Sequence, residues 1–135
     1  MPYLSETTGK KKNEYLKSQE GVFLPITLAA GVVTADADGN KIIIPGTVLA
    51  IIASGSDAGK YGPYSSTATD GRQTLTNIKC VLDTYSNLKD SDLEVGGCYE
   101  GHVIESRVTS NGTLGSVASN VKSALRSVTS DIHFH

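Results

Sequence analysis

The sequence is short of the residues that most site chemistry requires. Among 135 residues there are two cysteines, three histidines, no tryptophan, and charged side chains at only 19% of positions. Cys80 and Cys98 make no CxxC motif and no disulfide framework. Each lies in an apolar run, where cysteine usually behaves as a small buried hydrophobe. A bridge between them would need their strands to pair, so thiol and disulfide both stay open at this point. No stretch approaches the roughly 18–20 apolar residues that span a bilayer. The polar N-terminal segment also lacks the apolar region of a secretory signal. Both features predict a chain that stays in a cytosol-like compartment with no membrane partner. A net charge of −2 gives no field suited to nucleic acid.

The small charge is unevenly spread. Residues 1–20 carry lysines 10, 11, 12 and 17 against glutamates 6, 14 and 20, for +1, which leaves −3 on the rest. This segment has no sustained period, and its apolar anchors are few: Tyr3, Leu4, Tyr15 and Leu16. In isolation it cannot bury enough surface to offset its ordering entropy. The plain reading of Lys10, Lys11 and Lys12 is a solvated run. The functional reading is an extended arm, with Tyr3, Leu4, Lys10, Lys11, Lys12, Tyr15 and Leu16 as candidate contacts to a partner. On either reading the core begins near Val22.

From Gly21 the character changes. Val22–Leu28, Gly31–Thr34, Lys41–Ile44, Thr47–Ala53 and Leu75–Leu82 read as short strands, separated by Gly, Pro, Asp and Asn turn signals. Residues 54–74 read as a long loop, and Leu93–Val108 as strand interrupted by Gly96-Gly97 and Gly101. Leu114, Val117, Ala118, Val121, Ala124, Leu125 and Val128 follow the helical template. Thr113 could cap that helix, with Lys122 and Arg126 toward its end. The predicted fold is mainly β with one C-terminal helix (β+α). It comprises a small β-barrel or sandwich-like body over residues 21–135 and an extended N-terminal arm over residues 1–20. The helix is expected at about 114–129, and a closing strand at 131–135.

Several stretches imitate active motifs and fail. Gly55-Ser56-Asp57-Ala58-Gly59-Lys60 has three residues between its glycines instead of four, and Tyr61 follows where a phosphate loop needs Ser or Thr. Asp36-Ala37-Asp38-Gly39-Asn40 opens like a calcium loop, but Lys41 and Thr47 stand where that loop needs Gly and Glu. His133 and His135 would share one side of a strand, but nothing in the sequence places His102 beside them as a third ligand. Asn111-Gly112-Thr113 is formally a glycosylation sequon but reads as a turn. No catalytic, cofactor-binding or metal-binding residues are predicted, and no cofactor.

Residues 45–72 are more specific. Pro45-Gly46-Thr47-Val48-Leu49, then Gly59-Lys60-Tyr61-Gly62-Pro63-Tyr64, then Ala68-Thr69-Asp70-Gly71 resemble the consensus of the phage head decoration proteins, the lambda-type capsid-stabilising family. Pro45, Gly46, Gly59, Lys60, Tyr61, Pro63, Tyr64, Asp70 and Gly71 carry the likeness. Glu94–Glu105 and the C-terminal helix and strand resemble later parts of that family, so the likeness covers residues 21–135. Cys80, where an aliphatic residue is expected, and the polar stretch Asn87–Asp92 depart from it. The resemblance implies a homotrimer at three-fold positions on the outer surface of an expanded capsid, assembled in the host bacterial cytoplasm and carried in the virion. Its partners would be the major capsid protein and copies of itself, with no nucleic acid or membrane. Two other classes stay open: another virion β-module, such as a tail or fibre component, and an enzyme or small-molecule barrel.

Overall fold

The computed structural model describes residues 15–110, 115, 117–126 and 131–135. Among these the protein is mainly β, with one α-helix near the C-terminus. The strands are β1 (Leu16–Leu28), β2 (Ile42–Ile43), β3 (Val48–Ile51), β4 (Tyr61–Pro63), β5 (Ile78–Leu82), β6 (Ser86–Asn87), β7 (Leu93–Val103) and β8 (Asp131–Phe134), and the helix is α1 (Ser119–Leu125).

Five strands close on themselves. Their order is β1-β4-β3-β5-β7, and β7 pairs back along β1 from Leu16↔Val103 to Leu28↔Leu93. The closing contact between β1 and β4 is a single parallel pair, Leu28↔Tyr61, reinforced by the Ala29 N–H donating to the Tyr61 carbonyl at 3.0 Å. β8 adds to the far half of β7 in parallel, with His102 opposite His133 and Val103 opposite Phe134. β2 and β6 form a separate two-stranded ribbon.

Strand alternation divides the buried residues between two clusters. Leu49 faces Cys80 across the β3–β5 ladder, and both join Ile26, Leu28 and Leu82, with Tyr61, Leu93, Val95 and Tyr99 around them. All five ring strands supply these residues, so they fill the ring's interior. The alternate positions Val48, Ala50, Val81 and Cys98 form the second cluster outside the ring, covered by Tyr15, Ile132 and the α1 residues Val121 and Leu125. A strand with both faces buried shows an unbroken apolar run, as Ile78–Leu82 does apart from Lys79.

A ring of five strands leaves little internal room. A Cβ on Gly97 would stand 2.8 Å from Cys80 Sγ and 3.3 Å from Ile26 Cδ1. Gly97 is therefore a position of close approach, and the glycines that read as interruptions lie inside one continuous strand, because β7 runs through Gly96, Gly97 and Gly101.

The structure departs from the sequence reading at both ends. The helix begins at Ser119 rather than near residue 114. Gly115 lies at φ +80°, its N–H bonds to the Val108 carbonyl at 2.9 Å, and Ala118 is extended. Val117 is buried from this non-helical approach, and its apolar side chain imitates another turn of the stripe. Thr113, Leu114 and Val128 lie outside the described residues. At the other end, β1 begins at Leu16 and Tyr15 is 3% exposed, so the core starts well before Val22. Gly31–Thr34 is not a strand either, because Ala30–Val32 forms a 3₁₀ turn.

Candidate interaction surface

The three motif stretches of residues 45–72 meet around the β3–β4 hairpin. The Gly46 N–H donates to the Leu82 carbonyl at 2.9 Å, and the Gly46 carbonyl accepts from the Thr109 N–H at 3.0 Å. That turn ties the entry of β3 to the end of β5. The Gly59 N–H donates to the Ile52 carbonyl, and the Ile52 N–H to the Lys60 carbonyl, both at 2.8 Å. The Asp70 carbonyl accepts from the Ala53 N–H at 2.8 Å and the Ser54 N–H at 3.2 Å. Arg72 reaches from the Asp70 carboxylate at 3.1 Å to the Pro63 carbonyl at 3.0 Å. Gly71 sits at φ +111°, and a Cβ there would also fall 2.6 Å from Ala53 Cβ. Only glycine satisfies both conditions.

Ionic and phenolic contacts complete this unit. The Lys60 ammonium pairs with Asp57 and Asp92, and Asp92 Oδ1 accepts the Ala30 N–H at 2.8 Å. Lys60 foremost, then the Ala30 N–H, holds the Asp92 carboxyl below its ordinary range, while Asp92 holds the Lys60 ammonium above its own. Burial pushes the Asp70 carboxyl up, but its hydrogen bonds from Arg72 prevail and lower it. The Tyr61 and Tyr99 hydroxyls lie 2.9 Å apart, and burial followed by that contact raises Tyr99. Pro45, Gly46, Gly59, Lys60, Tyr61, Asp70 and Gly71 thus act on the fold, through turns, clips and ring contacts.

Beside this unit lies a cleft of about 780 Å³, with Ile42, Ile44, Pro63, Tyr64, Ser65 and Val121 in its wall. Its described lining holds no carboxylate, imidazole, amine or thiol, and hydroxyls and aliphatic groups make up most of it. Such a surface can bury apolar side chains and share hydrogen bonds, but it offers nothing to move a proton near neutral pH. A second apolar surface is Val22, Phe23 and Leu24 in β1, which are 41%, 37% and 46% exposed. The sequence reads as strand over Val22–Leu28, with the core expected to start near Val22. Three consecutive strand residues span both faces, so β1 is open on both sides here, although its apolar run looks like that of the doubly buried β5.

The candidate arm residues divide. Tyr3, Leu4, Lys10, Lys11 and Lys12 lie outside the described residues. Tyr15 and Leu16 are not arm residues. Tyr15 donates its hydroxyl to Asp83 Oδ1 at 2.7 Å, and burial first, then this bond, raises its ionisation far above the ordinary phenol value. Leu16 is half-buried and pairs with Val103.

The imitation motifs resolve into structure. Asp36 Oδ1 accepts the N–H groups of Asp38 and Asn40, both at 2.9 Å, which makes the would-be calcium loop a side-chain-stabilised turn. Cys80 and Cys98 are unbridged, because Val81 and not Cys80 stands opposite Cys98, which puts the two thiols on opposite faces of the sheet. Burial raises each thiol to about 12. The histidines overturn an expectation. Parallel pairing of β7 with β8 brings His102 beside both His133 and His135. Among the described residues no three His, Cys, Asp or Glu side chains are arranged as ligands to one ion.

No protein-family model matches the chain, and no curated protein is significantly similar to it.

Proposed function

We propose that this chain is a structural virion protein that binds the outside of an assembled phage capsid at three-fold positions and stabilises it against internal genome pressure. The observation that carries the reading is the convergence of three separate sequence stretches. The first two stretches that resemble the decoration-protein consensus bond directly, the Tyr64 N–H donating to the Val48 carbonyl at 2.9 Å. The third is tied to them through Arg72, which bridges the Asp70 carboxylate and the Pro63 carbonyl. The cleft beside them supports a protein partner over a small charged substrate, because its lining is apolar and hydroxylic. Trimeric placement would make modest contacts sufficient, since linked sites gain through effective concentration.

The test is to mix the purified chain with undecorated mature capsids and measure co-sedimentation. Saturable binding at a stoichiometry of one trimer per three-fold position is expected. Absence of binding to expanded capsids, or binding to isolated tails instead, would reject the reading in favour of another virion module.

A further inference from the structure

His102 lies some thirty residues before His133 and His135 in sequence, yet all three meet on one face where β8 joins β7. His102 Nδ1 lies 2.7 Å from His135 Nε2. The His133 ring stacks on His102, with centroids 5.0 Å apart and planes inclined by 19°. His133 Nε2 in turn lies 3.1 Å from Asp131 Oδ1. The pairing Glu100↔Asp131 puts a second carboxylate on the same stretch of the two strands. The acidic groups and imidazoles share this face because residues 131, 133 and 135 alternate with buried Ile132.

We infer that His102 and His135 form a two-nitrogen chelating site for a divalent transition-metal ion, with water completing the coordination. Copper or nickel in a square-planar or tetragonal site bonds imidazole nitrogen at about 2.0–2.1 Å, so two adjacent ligands stand about 2.9 Å apart, against about 3.4 Å in a tetrahedral zinc site. The observed 2.7 Å separation is close to the first of these spacings. The 2.7 Å contact is a hydrogen bond, so one of the two nitrogens carries a proton. Shifting that proton to the other nitrogen of its ring frees both facing lone pairs, and a small turn about the soft terminal torsion of His135 aims them at a shared ion. His133 is not a ligand in this arrangement. It is a positioning residue, held by Asp131 and stacked so that His102 keeps its orientation. Asp131 and Glu100 add negative potential that favours a cation over an anion. Neutral imidazole selects copper, nickel or zinc over magnesium or calcium, which require oxygen ligands.

A metal here would clip the closing strand to β7, joining positions 33 residues apart in sequence. Titrating the full chain with Cu²⁺, Ni²⁺ or Zn²⁺ salts at neutral pH, followed by calorimetry, should give saturable binding of one ion per chain. Copper should bind tightest, and Mg²⁺ should give no signal. His102→Gln or His135→Gln should each weaken binding at least tenfold, while His133→Gln retains it at reduced affinity. Electron paramagnetic resonance of the Cu²⁺ complex should report two nitrogen ligands, reduced to one in either of the first two variants. Absence of saturable binding by all three transition ions would overturn the inference. So would undiminished affinity in the double variant His102→Gln/His135→Gln. Circular dichroism of each variant identifies any that misfold, and the copper spectrum of the unaltered chain then decides the assignment alone.

Discussion

The Tyr15 hydroxyl donates a 2.7 Å hydrogen bond to Asp83 Oδ1 across 68 positions of sequence, and the ring beneath it is 3% exposed. The first described residue of the chain is therefore a core residue. Tyr15→Ala should cost about 3–5 kcal/mol, the range for losing a buried aromatic ring. Tyr15→Phe should cost about 1–3 kcal/mol, because it strips Asp83 of its donor. Urea denaturation midpoints measure both. A deletion running from residue 2 through residue 19 should lower stability too, since it removes Tyr15.

Leu125 is fully buried on α1, in the cluster that also holds Val121, Ile132 and Val81. Leu125→Ala should destabilise the protein by about 2–5 kcal/mol, read as a shift in the denaturation midpoint. An unchanged midpoint would mean that α1 does not cover the sheet in solution.

Gly97→Ala should cost about 1–3 kcal/mol through overpacking, because the new methyl group meets Cys80 Sγ first. Cys80→Ala removes that sulfur. The double variant Gly97→Ala/Cys80→Ala should be more stable than the sum of the two single changes predicts, and a double-mutant cycle measures the difference.

The thiols give stability a pH dependence. Each titrates at about 12 when folded, against about 8.5 for an unfolded thiol, so folding favours the neutral form. Their contribution is complete below pH ~8.5 and is lost as pH rises toward 12. Denaturation midpoints should fall across that window, and less steeply in Cys80→Ala/Cys98→Ala. Ellman's reagent at pH 8 should find no reactive thiol in native protein and both thiols in denaturant.

Capsid binding, if the proposed function holds, separates the arm from the body. Tyr3→Ala/Leu4→Ala should leave the denaturation midpoint in place and weaken capsid binding at least tenfold, about 1.4 kcal/mol per chain. Undiminished binding would assign the contact to the body, with the cleft and the Val22–Leu24 surface as the next regions to alter.

Turn chemistry made much of this architecture legible. Asp36–Asn40, Pro45–Gly46 and Gly71 punctuate strands as their types require, and the alternation of Leu49 with Val48 and Cys80 with Val81 follows from a sheet buried on both faces. Three features were hidden for separate physical reasons. Val117 is apolar and buried like a helix residue but reaches the core from extended chain, so periodicity overran the start of α1. Tyr15 follows the polar run 10–14, and only the distant Asp83 explains why a phenol is buried there. The histidine cluster depends on β8 returning parallel to β7, a long-range pairing that local spacing does not encode.

Val103 has Leu16 on one side and Phe134 on the other. Strands neighbouring a common strand stand about 10 Å apart, so the chain enters and leaves the body at one corner. A circular permutant follows from this arrangement. A short flexible bridge could join residues 135 and 15, and a new opening could be cut in the exposed turn at Gly55–Ala58, while every strand pairing described above is kept. Cargo fused after residue 135 would emerge from the β7–β8 corner, whereas cargo fused to the permuted ends would emerge beside the β3–β4 hairpin. One scaffold would thus present an attachment at either of two places.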